Sequence, residues 1–187
     1  MAQTRNVAVL VGSLRKAALS RQMAQALAAL APSSLQLHIV EIGDLPLYNQ
    51  DLDTDSPPAP WARFRAQIAQ ADAVLFVTPE HNRSVPAALK NALDIGSRPY
   101  GQSIWNGKPG AVVTVSPGAS GGFGANHHLR QVLVFLNVLT LAQPEAYIGG
   151  AGQLFDADGK ITNDGTRKFL QGFVNAFGAW VDTHVKG

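Results

Sequence analysis

Short runs of consecutive apolar residues, rich in valine and isoleucine, recur along the chain and are separated by longer amphipathic stretches. A strand that is apolar at every position is buried on both faces, as in a parallel sheet covered by helices. Four runs predict such strands, and a weaker fifth signal has two candidate positions. The four are residues 7–11, 35–40, 73–77 and 111–115, and the fifth is either 138–142 or 146–148.

Between these runs lie stretches with apolar residues every three or four positions, the spacing of an amphipathic helix. They cover residues 20–30, 60–71, 85–95, 125–136 and 166–185. The alternation of strands and helices predicts parallel strands joined by right-handed crossovers. We therefore predict an α/β fold, a doubly wound five-stranded parallel sheet with helices on both faces, in a single domain of residues 1–187.

Composition excludes several classes of function. The chain has no cysteine, which removes disulfides, thiolate catalysis and iron–sulfur clusters. Its net charge is only +2 and it has no dense basic run, so we expect no nucleic-acid partner. No stretch approaches the ~20 apolar residues that cross a bilayer, and the first apolar run is too short for a signal peptide. We expect a cytoplasmic protein with no membrane partner.

Ligands of open α/β sheets bind beyond the carboxyl ends of the strands, where the strand order reverses. The loop of residues 12–20 follows the first strand and leads into a helix. Gly12 permits a tight turn, and the hydroxyls of Ser13 and Ser20 can donate to an anion. Arg15 adds a planar fork for phosphate, and the helix adds free N–H groups at its start. The loop predicts a phosphate site, and an ordinary turn capped by Ser20 is the alternative.

Two further loops follow predicted strands at the same edge. Residues 78–86 hold two prolines and several hydrogen-bonding side chains, which suits a stiff loop beside a flat heterocycle. Residues 118–124 contain four glycines, which bring bare backbone close to a ligand. Flexible connections are the alternative for both loops, but their shared edge favours a binding site.

Motifs in these loops resemble the NADPH-dependent FMN reductase family, in particular its bacterial chromate and quinone reductases. They are Gly-Ser-Leu-Arg at 12–15, Pro-Glu-His-Asn-Arg-Ser-Val-Pro at 79–86 with Leu-Lys-Asn-Ala-Leu-Asp at 89–94, and Gly-Gly at 121–122 followed by Leu-Arg at 129–130. The resemblance covers almost the whole chain. It implies a flavodoxin-like fold, bound FMN and NADPH or NADH as co-substrate. It also implies a homodimer or homotetramer that reduces quinones, free flavin or metal oxyanions such as chromate.

Carried over by position, the resemblance assigns the FMN phosphate to Ser13, Arg15 and Ser20. It assigns the two sides of the isoalloxazine to two further groups: Pro79, Glu80, His81 and Asn82 on one side, and Ser116, Gly118, Ser120, Gly121 and Gly122 on the other. The family commonly has serine, asparagine and tyrosine where this chain has Ala18, Ser20 and His81. No side chain is expected to be catalytic, because the flavin carries the chemistry, and no metal ligand is expected.

Some residues admit two interpretations. Glu80 is either a base or an orienting carboxylate at a helix end. His127 and His128 are adjacent on a predicted helix, about 100° apart, so they cannot bind one metal together. They are candidates for the mouth of the site or a subunit contact. The apolar stripes within 125–136 and around 89–95 are candidates for a subunit interface.

Two other functions compete with an oxidoreductase. The first is a flavodoxin-type electron carrier without its own substrate. Such carriers tend to be strongly acidic and cover the flavin with aromatic residues, whereas this chain is slightly basic and has glycines in its third loop. The second is a doubly wound binding or sensory domain that has lost the flavin. The departures from the family pattern at Ala18 and Ser20 motivate this alternative, but we favour the enzyme over both.

Overall fold

A computed structural model describes residues 4–185 of the chain. Within them lie six strands and five α-helices, which alternate except that the last two strands follow one another. The strands are β1 (Arg5–Val11), β2 (Leu35–Val40), β3 (Ala73–Thr78), β4 (Pro109–Val115), β5 (Leu139–Thr140) and β6 (Ala146–Ile148). The helices are α1 (Leu19–Leu30), α2 (Ala59–Gln70), α3 (Ala87–Gly96), α4 (Phe123–Phe135) and α5 (Asp164–His184).

The strands form one parallel sheet in the order β2-β1-β3-β4-β5, and β6 also pairs with β4. The chain leaves β1 for β2 at one edge and returns to β3 on the other side of β1. This reversal places the switch point of a doubly wound sheet between β1 and β3. The predicted fold class is therefore confirmed. That residues 1–187 form a single domain stays a prediction.

Both candidate positions for the fifth strand are extended. β5 pairs with the start of β4 at Pro109 and Gly110, and β6 pairs with the end of β4 at residues 113–115. Pro144 lies between the two segments and has no N–H to donate to a neighbouring strand. The fifth position of the sheet is thus shared by two short strands.

Alternate residues of each strand point to two separate apolar layers. One layer packs β1, β3 and β4 against α1 and α5, through residues such as Val9, Leu27 and Phe177. The other packs the same strands against α2, α3 and α4, through residues such as Leu10 and Phe64. Burial on both faces explains why the strands read as continuous apolar runs.

The predicted apolar stripe of α3 belongs to this second layer. Leu89, Ala92, Leu93 and Ile95 are fully buried within the chain, so the expectation that residues 89–95 face a partner subunit is wrong. None of the helices within residues 4–185 is both long and apolar enough to span a membrane.

A buried ion pair holds the long connection between β2 and α2. The side chain of Asp53 is 4% exposed, and it accepts two hydrogen bonds from Arg65 of α2, at 2.9 and 3.1 Å. Asn91 of α3 ties the same connection from the other side. Its amide donates to the carbonyls of Leu45 and Pro46 and accepts from the N–H of Tyr48 at 2.9 Å.

Candidate functional site

The loops that follow β1, β3 and β4 emerge together at the carboxyl edge of the sheet. Strand register sets this convergence, because Val11 lies beside Val77 and Thr78 lies beside Thr114. The N–H of Gly12 also donates to the carbonyl of Val77 at 2.9 Å, which continues the pairing into the first loop. All the candidate site residues thus lie on three neighbouring loops or at the start of α1.

The loop after β1 turns sharply at Gly12. A Cβ at this position would lie 2.8 Å from the Cβ of buried Thr78, so only glycine fits between the two strands. Ser13 is half-buried and its hydroxyl oxygen accepts a bond from the N–H of Arg15 at 3.4 Å. Arg15 is exposed, and it takes part in none of the ion pairs found between residues 4 and 185.

The start of α1 has donors without acceptors. Ala18 occupies the N-cap position, where serine or aspartate would normally satisfy a free N–H, and no side chain caps the helix. Ser20 is 1% exposed, and its buried hydroxyl has no hydrogen-bond partner within the described part of the chain. Buried hydroxyls almost always have a hydrogen-bond partner, so this one is free to bond to a ligand. The helix dipole and Arg15 favour an anion there.

The loop after β3 forms a tight turn at residues 81–84. His81 and Ser84 exchange two N–H···O=C bonds of 2.9 Å each. The two residues between them, Asn82 and Arg83, have φ values of 50° and 65°. Both therefore adopt the left-handed conformation of a hairpin turn that usually contains glycine. His81, Asn82 and Arg83 are exposed at the edge of the sheet.

The side chain of Glu80 points to the start of α4. Its carboxylate accepts a bond of 3.0 Å from the N–H of Ala125, and a Cβ on Gly124 would lie 3.0 Å from the same oxygen. The structure thus places Glu80 as a carboxylate at a helix end. Since the carboxylate is already engaged with α4, it is poorly placed to act as a base.

The two adjacent histidines of α4 have different partners, as their angular separation predicts. The Nδ1 atom of His128 lies 2.7 Å from the Oγ atom of Ser84, which ties α4 to the turn of residues 81–84. The Nε2 atom of His127 lies 3.0 Å from the hydroxyl of Tyr147, and its ring packs against Phe123. No cluster of three or more metal-ligating side chains occurs among residues 4–185.

The loop after β4 is held in place by its own backbone. The Ser116 hydroxyl accepts from the N–H of Gly118 at 3.1 Å, and Gly118 in turn accepts from Gly121 and Gly150. Gly121 has a φ of 59°, and a Cβ there would lie 2.6 Å from the carbonyl carbon of Tyr147. The start of the loop, including Gly118 and Ser120, is exposed, whereas Gly121 and Gly122 are buried.

Two contacts that shape the site could not be predicted from the sequence. Asn91 belongs to the motif of residues 89–94, but its role in holding residues 45–48 depends on contacts across more than 40 positions. The bond between Ser84 and His128 likewise joins the loop after β3 to α4, across 44 positions of the sequence. A polar residue within an apolar helical stripe is a signal that could have indicated the role of Asn91.

Comparison with known proteins agrees with this geometry. Residues 5–153 match the family described as NADPH-dependent FMN reductase. A quinone reductase from Pseudomonas putida is 66% identical over 181 residues, 97% of each chain. A 2-hydroxy-1,4-benzoquinone reductase from a Burkholderia species is 51% identical over 175 residues, 94% of this chain and 95% of that protein.

A solved structure also matches this chain over almost its full length. The flavoenzyme NAD(P)H:(acceptor) oxidoreductase FerB from Paracoccus denitrificans superposes with a TM-score of 0.91 at 45% identity, covering 97% of this chain and 99% of that chain. The flavodoxin-like fold implied by the sequence motifs is thereby confirmed. The chain belongs to the NADPH-dependent FMN reductase family, as an oxidoreductase with FMN as its cofactor and NAD(P)H as its source of electrons.

Proposed function

We propose that the three loops at the carboxyl edge form the FMN site and that the chain reduces quinones there with electrons from NAD(P)H. One observation carries the location of the site. The buried hydroxyl of Ser20 has no partner among residues 4–185, and it lies at an uncapped helix start beside the switch point of the sheet.

The phosphate of FMN fits the loop after β1. Ser20 would donate its hydroxyl, and the free N–H groups at the start of α1 would donate alongside it. Arg15 would supply the opposite charge and a bidentate fork, and Ser13 a second hydroxyl. A dianionic phosphate accepts several such bonds, so it would satisfy both the Ser20 hydroxyl and the free N–H groups at the start of α1.

The isoalloxazine would lie between the loops after β3 and β4. Pro79, Glu80, His81 and Asn82 would border one side, chiefly through their backbone, because the carboxylate of Glu80 is engaged with α4. Ser116, Gly118, Ser120, Gly121 and Gly122 would border the other side. The buried Gly121 and Gly122 would shape the loop, and the exposed Gly118 and Ser120 would approach the ring.

FMN, when bound, supplies the chemistry by accepting hydride from NAD(P)H and giving it to the acceptor. The protein then needs to bind, align and exclude water, and no side chain of the three loops is required as an acid or base. The names of two relatives, a quinone reductase and a 2-hydroxy-1,4-benzoquinone reductase, support quinones as the acceptor. Free flavin and metal oxyanions such as chromate stay predictions. The requirement for NAD(P)H favours a cytoplasmic location.

We also propose that the chain forms a homodimer or homotetramer. Its support is an apolar patch at the end of α4 and on the loop after α3. Val134 is 78% exposed, Phe135 83% and Tyr100 88%. Large apolar side chains that adjoin one another on a surface are typical of protein interfaces. Replacing Phe135 with glutamate should shift the molecular mass in light scattering to that of a smaller species, and an unchanged mass would refute this interface.

The test of the function begins with the visible spectrum of the purified protein reconstituted with FMN. We expect a yellow protein that NADPH or NADH bleaches without air, and whose colour a benzoquinone then restores. A yellow protein that neither nucleotide bleaches would instead indicate an electron carrier. A protein that takes up no FMN would refute the proposal.

Two variants of one loop then locate the phosphate. Arg15→Ala should weaken FMN binding about tenfold or more, because it removes a charge-assisted contact. Lys16→Ala is the matched control, since Lys16 is also an exposed cation and is next in the chain. Equal loss of affinity in both variants would indicate a diffuse charge effect and contradict a specific contact.

A further inference from the structure

The turn of residues 81–84 has an unfavourable backbone. Hairpin turns with positive φ at both central residues normally contain Asn-Gly, because glycine has no Cβ to clash. Here the sequence is Asn82-Arg83, and Arg83 has a φ of 65°. The Arg83 side chain does little to hold this shape, because it is 86% exposed and its nearest carboxylate oxygen, on Glu80, is 3.8 Å away. Other contacts must stabilise the turn.

Two side-chain hydrogen bonds to α4 flank Asn82 and Arg83, the two residues with positive φ. On one side, Glu80 accepts from the N–H of Ala125 at 3.0 Å. On the other side, Ser84 is bonded to His128 at 2.7 Å. Their attachment points on α4, the N–H of Ala125 and the ring of His128, are three residues apart and so lie within one helical turn. These two contacts with α4, together with the two backbone bonds between His81 and Ser84, fix both ends of the turn.

We propose that the bond between Ser84 and His128 is a clamp that holds this turn in the shape that receives the flavin ring. His128 is then a positioning residue for FMN that acts through Ser84. The inference rests on the proposed function, in which residues 79–82 border the ring. Strained backbone is common where a protein prepares a binding surface in advance, and it persists only when neighbouring contacts compensate.

The bond between Ser84 and His128 forms with either tautomer of the imidazole. The Nδ1 atom of His128 accepts a hydrogen bond from the Ser84 hydroxyl or donates one to it. His127 provides a natural comparison, because it is also exposed on α4 but is bonded to Tyr147 on β6.

The first experiment measures FMN affinity of the full-length apoprotein by quenching of FMN fluorescence. Ser84→Ala and His128→Leu should each weaken binding about three- to tenfold, the effect of one lost neutral hydrogen bond. His128→Asn should stay within about twofold of the parent, because the amide of asparagine reaches the position of Nδ1. His127→Leu should also stay within about twofold.

The second experiment relieves the strain directly in the Ser84→Ala background. Adding Arg83→Gly should restore FMN affinity to within about twofold of the parent, since glycine adopts positive φ without a steric penalty. Adding Arg83→Ala should not, because alanine keeps the Cβ. Both changes remove the guanidinium, so the comparison isolates the backbone. Thermal melts of each apoprotein establish that the variants fold.

Two results would overturn the clamp while leaving the proposed function intact. One is a parent that binds FMN together with Ser84→Ala and His128→Leu variants that bind it equally well. The other is equal recovery, or equal failure, of the glycine and alanine changes at position 83. A parent that takes up no FMN would instead refute the proposed function, and the clamp with it.

Discussion

Replacing Ser20 with alanine should have opposite effects on the apoprotein and on FMN binding. Ser20 is 1% exposed at the start of α1, and its hydroxyl has no partner within the described residues. In the apoprotein this hydroxyl is a buried polar group that has lost its hydrogen bond to water. In the complex the same hydroxyl would donate to the phosphate of FMN. Alanine removes both the cost and the contact.

The expected sizes follow from these two roles. An unsatisfied buried polar group costs about 1–3 kcal/mol, so alanine should stabilise the apoprotein by about 1 kcal/mol at least. For a chain of this length, that raises the melting temperature by about 2–4 °C. A hydrogen bond to a charged group contributes about 1.5–3 kcal/mol, so its loss should weaken FMN binding about 10- to 150-fold.

Thermal melts of the apoprotein and FMN titrations measure the two effects separately. Ser13→Ala is the control, because Ser13 is only half-buried and its hydroxyl already has a partner in Arg15. That variant should bind FMN less tightly without melting at a higher temperature. If Ser20→Ala binds FMN as the parent does, or melts at a lower temperature, the assignment of Ser20 to the phosphate is wrong.

Three further predictions concern the scaffold. Asp53→Asn should lower the free energy of unfolding by about 3 kcal/mol in urea titrations, because it leaves the partly buried Arg65 without its counter-charge. Replacing Asp53 and Arg65 together by leucine and methionine should cost much less. Gly121→Ala should lower the free energy of unfolding by about 2–4 kcal/mol in the same assay, because φ is positive there and the Tyr147 backbone is close. Gly152→Ala is the control and should change it little, because the space around Gly152 is open. Burial raises the pKa of Tyr147 to about 12, and the neighbouring Glu145 makes a smaller contribution in the same direction. In the unfolded chain the tyrosine hydroxyl loses its proton near pH 10, so the free energy of unfolding should fall between pH 10 and 12. Tyr147→Phe should make this decrease shallower, and an equal decrease in both proteins would contradict the prediction.

The fold was predictable because its signals are local. Burial on both faces makes β1, β3 and β4 read as unbroken apolar runs, and the spacing of apolar residues in α5 requires only neighbouring positions. The predicted ends of the helices differ by one or two residues from those observed, as at α4, which begins at Phe123 rather than at residue 125. The fifth strand was ambiguous because β5 and β6 have only two and three residues.

The sequence by itself determined the strand–helix alternation, and with it the edge at which the loops of residues 12–20, 78–86 and 116–124 meet. Only the tertiary structure decided what their side chains do there. There Glu80 bonds to the start of α4, Ser84 bonds to His128, and the buried hydroxyl of Ser20 has no partner among residues 4–185. The physical reason is distance along the chain. Periodicity reports the average environment of a residue, whereas a hydrogen bond depends on angstrom-scale placement of groups some 45 positions apart.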